Sequence, residues 1–345
     1  MVETNVHSST SSSDNVLRAP TTPKAWLGGV VLFLALLGTL EVVARAAGYH
    51  PTVPDSKELW AMQRDAVRES GPESVVLLGA SRMQLDVDPE ILQDALGGRK
   101  VFMLAVDGRP PMATLEHFAE DDTFRGTVVC SFAARWLSPQ LWDDQTDHLE
   151  YWTHDWPDKR STSGGLALSA RLHLQKNCAV LHEGLTLASL GMRLNGRPYH
   201  PYLTTRPSRY RAADYQAMGE YLPLHLSRRV KIATEQYSEG TMSVDEFLAQ
   251  CERVERAVRA IQDRGGRVVF VRLPTSGEVW DLDEQYYPRK QYWNVFAQRT
   301  AAATIHFEDY ETLASFECPD GSHLDYRDAA VFTRNLAEIL KEKIE

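Results

Sequence analysis

The sequence predicts an α/β domain whose parallel sheet is covered by helices on both faces, preceded by one helix able to cross a membrane. Three observations carry that reading. Short apolar runs rich in β-branched residues alternate with amphipathic segments from Ser74 to the C-terminus, and alternation of that kind builds a parallel sheet. The residues with the most chemical potential all follow the carboxyl ends of those runs, the side on which open parallel sheets bind ligands. Finally, Ala25 to Ala44 is an almost unbroken apolar stretch.

Each element can be justified in order. Residues 1–24 are Ser/Thr-rich and lack apolar periodicity, so they bury too little to repay ordering and are expected to be a disordered tail. The apolar stretch, assigned to residues 25–47, has the roughly 20 residues needed to span a hydrocarbon core. Arg18 and Lys24 precede it and acidic Asp55 and Glu58 follow, which orients the N-terminus to the cytoplasm and the remainder to the periplasm or cell exterior. The competing reading is a cleaved signal sequence, with Ala44-Arg45-Ala46 as the small-residue site. Residues 48–73 read as a connector with a short helix at Glu58 to Val67.

The domain proper is assigned to residues 74–345. Ser74 to Leu78 is the first strand, Lys100 to Ala105 the second and Thr127 to Phe132 the third. Asp88-Pro89-Glu90 opens a helix to Leu96, and Met112 to Phe118 forms another. Residues 139–243 lose periodicity and read as an insertion with some helices, too long for a plain loop and suited to a lid or a substrate-facing region. Regular signals resume with a helix from Val244 to Arg264, stopped by Gly265-Gly266. Arg267 to Leu273 is the fourth strand, Tyr292 to Ala302 a helix and Thr304 to Phe307 the fifth strand. Asp325 caps a final helix whose apolar face is Ala329, Phe332, Leu336 and Ile339. The expected architecture is a three-layer α/β/α sandwich with a five-stranded parallel, flavodoxin-like sheet.

Composition narrows the function. The net charge of -10 and the absence of a long Lys/Arg run argue against nucleic acid as a partner. The four cysteines lack C-x-x-C spacing, which leaves disulfides and free thiols both open and gives no support to a zinc site. No metal or organic cofactor is expected.

Two short motifs carry the chemistry. Gly79-Ala80-Ser81-Arg82 ends the first strand, and Asp320-Gly321-Ser322-His323 precedes the last helix. A serine hydroxyl becomes a nucleophile when a histidine takes its proton and a carboxylate orients that histidine. Ser81, His323 and Asp320 are the candidates for those roles, with Asp325 and Asp309 as alternative carboxylates. Read alone, Ser81 better suits capping a helix, and His323 capping or a solvated loop; their combination with the strand order favours catalysis. Arg82 and Arg135 follow the first and third strands, and Arg272 interrupts the apolar fourth strand near Glu278, Tyr287 and Arg289. Arg82 and Arg272 are candidates for binding a polar or anionic acceptor, with ordinary ion pairs as the alternative. Trp142, Trp152 and Trp156 in the insertion suit stacking on sugars or simple packing.

These motifs resemble the SGNH/GDSL hydrolase superfamily, and within it the membrane-anchored bacterial esterase- or acyltransferase-like members associated with surface polysaccharides. The resemblance covers residues 74–135 and 267–340. It implies that Ser81 attacks an ester carbonyl, that His323 moves the proton, that Asp320 orients the ring, and that backbone N–H groups of Ser81 and Gly108 hold the oxyanion. The sequence departs from that pattern after the third strand. Where a Gly-x-Asn-Asp block should supply an asparagine, it reads Ser131-Phe132-Ala133-Ala134-Arg135, leaving Arg135 or Arg82 as the replacement donor. Loss of such a donor typically slows turnover about a hundred- to a thousandfold.

The expected function is therefore removal or transfer of O-acyl groups, acetyl among them, on an extracytoplasmic glycan or other polyol through an acyl-serine intermediate. A transferase would take its acyl group from a membrane-embedded donor protein. The alternative is a catalytically silent, membrane-tethered binding or scaffold protein that keeps the fold.

Overall fold

In the computed structural model, residues 23–186, 189, 201–238 and 240–344 are described. The expected disordered tail therefore falls, for residues 1–22, outside the described residues. The chain divides into two compact units, Met1–Gly48 and Tyr49–Glu345.

The first unit contains helix α1, Pro23–Ala46. Its apolar window has a mean hydropathy of 2.3 and carries outward-facing Trp26, Leu32 and Phe33. At about 1.5 Å per residue it is long and apolar enough to cross a membrane. An anchor and a signal sequence share these properties.

The second unit is built on a five-stranded parallel sheet. Its strands are β1 (Val75–Leu78), β2 (Val101–Met103), β3 (Thr127–Ser131), β6 (Arg267–Arg272) and β7 (Ala303–His306), in the order β2-β1-β3-β6-β7. Each of the five expected strands is present within a residue or two of its expected bounds. The chain runs outward from β1 to β2, returns past β1 to β3, and then proceeds to the far edge. The direction of winding thus reverses between β1 and β3, which opens a crevice at their carboxyl ends.

The strands are apolar on both faces because both are covered. Val76, Leu78, Val128 and Phe270 face one cluster, completed by Trp60 of α2 (Lys57–Ser70), Phe118 of α5 (Met112–Glu120), Phe247 and Val254. Val75, Leu77, Val129 and Val269 face the other, with Leu92 of α4 (Pro89–Ala95) and Phe332 and Leu336 of the C-terminal helix, Tyr326–Ile344. The local signals act as expected. Asp88 caps α4 through Glu90 and Ile91, and a Ser243–Glu246 capping box opens the Val244–Gln262 helix.

The connector contains the expected helix, α2, and packs onto the domain: Trp60 is fully buried and its Nε1 donates to Leu104 O at 2.9 Å. The insertion contains helices, as expected. It holds helices Thr162–Gln175 and Leu222–Ser238, and a hairpin of β4 (Leu203–Thr205) and β5 (Arg211–Ala213). Buried Arg209 ties that hairpin to Asp55 with bonds of 2.7 and 3.0 Å. After β6 an additional helix forms, Gly277–Tyr286. All four cysteines are free thiols.

Phe332 is 0% exposed and its ring meets Phe316 edge-on at 5.7 Å. Phe332→Ala is expected to cost about 3–5 kcal/mol of unfolding free energy in a denaturant titration. A loss below about 1 kcal/mol would contradict this account of the core.

Candidate active site

The site begins at the turn from β1 into α3, Ser81–Asp86. Ala80 occupies the N-cap position, with extended φ and ψ of -111° and -153°. Ser81 is therefore the first helical residue and is not consumed in capping. The turn is tight because Gly79 lacks a side chain: a Cβ there would lie 2.7 Å from Met83 Cβ and 2.9 Å from Ser131 Cβ. Gln145, fully buried, holds this turn in place. Its Nε2 donates to Gly79 O at 3.1 Å and to Arg109 O at 2.9 Å, while Thr114 donates to its Oε1. One amide thus fixes both the Ser81 turn and the Gly108 loop.

The loop after β7 supplies the other half. Gly321 adopts a left-handed φ of 80°, and the loop folds back on its own carboxylate. Asp320 Oδ1 accepts the backbone N–H groups of Ser322 at 2.9 Å and His323 at 2.8 Å. Its Oδ2 lies 2.9 Å from His323 Nδ1. On the opposite edge of the ring, His323 Nε2 lies 2.8 Å from Ser81 Oγ. A carboxylate only accepts, so Nδ1 carries the proton and the Nε2 lone pair faces the serine hydroxyl. Asp320 and His323 are both 0% exposed. Buried Asp86 adds a further tie, accepting Leu324 N–H at 2.9 Å.

Electrostatics suit this arrangement. Burial, followed by Asp320 acting in the opposite sense and by Arg229 and Arg82, leaves His323 below its ordinary value of 6.5. Burial pushes the Asp320 carboxyl up, but His323, His225 and Arg229 outweigh it and hold it well below the usual carboxylate range. At neutral pH the ring is an uncharged base beside an ionised carboxylate.

The helix Leu222–Ser238, from the insertion, flanks this pair. Arg229 Nε donates to Asp320 Oδ2 at 3.3 Å, and His225 Nε2 lies 3.5 Å from the same oxygen. A cavity of about 130 Å³ opens above Ser81, and Arg82, Gly108, Arg135 and Arg229 share its walls. Arg82 Nε donates to Ser322 Oγ at 3.2 Å, and its guanidinium lies 3.8 Å from Asp283. Asp283 also bonds Tyr237, Arg272 and Thr275.

The structure thus brings together Ser81, Asp320 and His323, and sets Gly108, Arg82 and Arg135 around the same cavity. Asp325 and Asp309 are engaged elsewhere: Asp325 accepts Tyr215 N–H and Asp309 pairs with Arg289. Arg272 does not line the cavity above Ser81: it is 7% exposed, donates to Leu273 O at 2.9 Å, pairs with Asp283, and lines a small adjoining cavity with Arg135. Arg289 and Tyr287 also line that adjoining cavity while holding local structure, Arg289 bridging Glu308 and Asp309 and the Tyr287 hydroxyl accepting Met242 N–H. The three tryptophans of the insertion are spent on packing and anchoring. Trp142 lies under Arg253, and Trp152 and Trp156 donate to Asp65.

Sequence reasoning missed Arg229, His225, Gln145 and Asp283, none of which lies in a strand-end motif. Asp283 had a usable signal: Val279, Leu282 and Tyr286 recur at helical spacing around it. Among the described residues no group of three or more His, Cys, Asp or Glu is arranged to hold a metal ion. No family model and no curated protein matches the chain.

Protonation of His323 would remove the lone pair that faces Ser81 Oγ, so any reaction of that hydroxyl that uses the ring as base is expected to slow as pH falls through the His323 pKa. The acidic limb of kcat/KM for 4-nitrophenyl acetate is expected below pH 6.5. Arg229→Gln removes a cation that opposes ring protonation, so its limb should move to higher pH. An unmoved or lower limb would contradict the assigned influence of Arg229.

Proposed function

We propose that the chain is an SGNH-type serine esterase or O-acyltransferase, acting outside the cytoplasm on O-acyl groups of a surface glycan or other polyol. The observation that carries this reading is the continuous path Ser81 Oγ, His323 Nε2, His323 Nδ1, Asp320 Oδ2, with links of 2.8 and 2.9 Å. In this reading His323 takes the serine proton as Oγ attacks the acyl carbonyl, and returns it to the leaving alcohol. Water or an acceptor hydroxyl then resolves the acyl-serine by the reverse route. The backbone N–H of Ser81 opens a helix and has no acceptor within it. Together with the Gly108 loop, which Gln145 ties to the same turn, it is the proposed oxyanion cradle. Arg82 or Arg135 is the proposed cationic substitute for the asparagine.

The finer fold assignment belongs to the same proposal. The sheet order β2-β1-β3-β6-β7 corresponds to 2-1-3-4-5 among the sheet strands, the flavodoxin-like order. With helices on both sheet faces, this supports a three-layer α/β/α sandwich. Helix α1 is read as a membrane anchor with a cytoplasmic N-terminus. A tether of that kind raises the effective concentration near a membrane-embedded acyl donor. The silent-scaffold alternative needs a serine without a working base, and the intact proton path weighs against it.

Acetate release from an O-acetylated oligosaccharide, and acetyl transfer to an unacetylated one, test the proposal with the full chain in detergent. Ser81→Ala and Asp320→Asn are each expected to lower the rate by at least about a thousandfold. Undiminished turnover in folded Ser81→Ala would reject the assignment.

A further inference from the structure

Arg135 stands at the meeting point of three adjoining cavities: the one above Ser81, one of about 330 Å³ beside it, and a small one of about 30 Å³. The three cations on the Ser81 cavity are not equivalent. Arg229 is engaged by Asp320 and Arg82 faces Asp283. Arg135 forms no ion pair among the described residues. Its Nη2 donates to the neutral amide oxygen of Gln236 at 3.0 Å, and its guanidinium lies over the Tyr237 ring at 5.9 Å. The nearby carboxylates do not satisfy it. Asp283 is taken up by Arg272 and Tyr237, Glu246 caps Ser243, Asp107 pairs with Arg211, Glu284 accepts the Arg289 backbone N–H, and Asp144 feels the charge of Arg135 without pairing with it.

A neutral substrate laid across this junction would strip water from an uncompensated guanidinium, which is unfavourable. A substrate carrying a carboxylate or phosphate would instead supply the missing counter-charge through charge-assisted hydrogen bonds, and the planar fork suits either group.

We infer that the polyol accepted at this site is anionic, with a carboxylate or phosphate bound by Arg135 in the cavities beside Ser81. The inference deepens the proposed function and rests on it for the role of the neighbouring serine. The binding claim can be tested without turnover.

Equilibrium binding to the full chain in detergent is measured for two pairs of probes. Trigalacturonate and its fully methyl-esterified counterpart form the carboxylate arm. Glucose 6-phosphate and glucose form the phosphate arm. At least one charged probe is expected to bind about tenfold or more tightly than its neutral partner, with the preference weakening as salt rises. The arm that shows the preference identifies the anion. Arg135→Gln should collapse the ratio towards one, and Arg135→Lys should restore part of it. Equal affinities within both pairs, or a preference that persists in Arg135→Gln, would overturn the inference. Turnover of 4-nitrophenyl acetate by the same preparation reports the serine chemistry separately. A charge preference without turnover supports the anion site while counting against the esterase reading, and turnover without preference defeats the anion site alone.

Discussion

The buried carboxylate of Asp320 is the constraint on which the site depends. An isolated carboxylate away from water is costly unless it is paired and hydrogen-bonded. Asp320 meets that demand with the N–H groups of Ser322 and His323, the imidazole of His323, and the guanidinium of Arg229. The same bonds that compensate the charge shape the loop around it and fix the His323 ring edge-on to Ser81. Charge compensation and geometry are thus one set of interactions. The proposed chemistry uses what the buried charge already requires.

Arg229 complicates this arrangement. It competes for the carboxylate oxygen that orients His323 and disfavours ring protonation, yet it comes from the insertion and not from the strand ends. Of the helix that carries it, only Tyr237 is buried. The proton path is therefore flanked by an element whose packing into the core is slight, while the path itself is anchored by the fully buried Gln145 and Asp86. Rigidity is concentrated where the proposed proton transfer needs it.

Much of the fold was legible because parallel strands buried on both faces read as continuous apolar runs. Val75 to Leu78 and Arg267 to Arg272 are examples, with only the flanking residue Arg272 polar in the buried part. The Ser81, His323 and Asp320 grouping was legible for a topological reason: residues far apart in sequence meet when each follows a strand end in one parallel sheet. Other features had no local signature. The burial of Trp60 depends on a hydrogen bond to Leu104, and Arg209 on an ion pair with Asp55 more than a hundred positions away. Arg272 was misread because an arginine within a strand looks the same in sequence whether it meets substrate or a buried aspartate. The Asp283 that it meets sits on a helix whose only sequence signal is the spacing of Val279, Leu282 and Tyr286.

The most direct test of the central claim is intact-mass analysis of the folded full chain in detergent after exposure to a fluorophosphonate. The account predicts a single adduct that disappears in Ser81→Ala and forms much more slowly in His323→Ala. No adduct on the folded wild-type chain, or one that persists in Ser81→Ala, would show that Ser81 is not an activated nucleophile and would contradict the account.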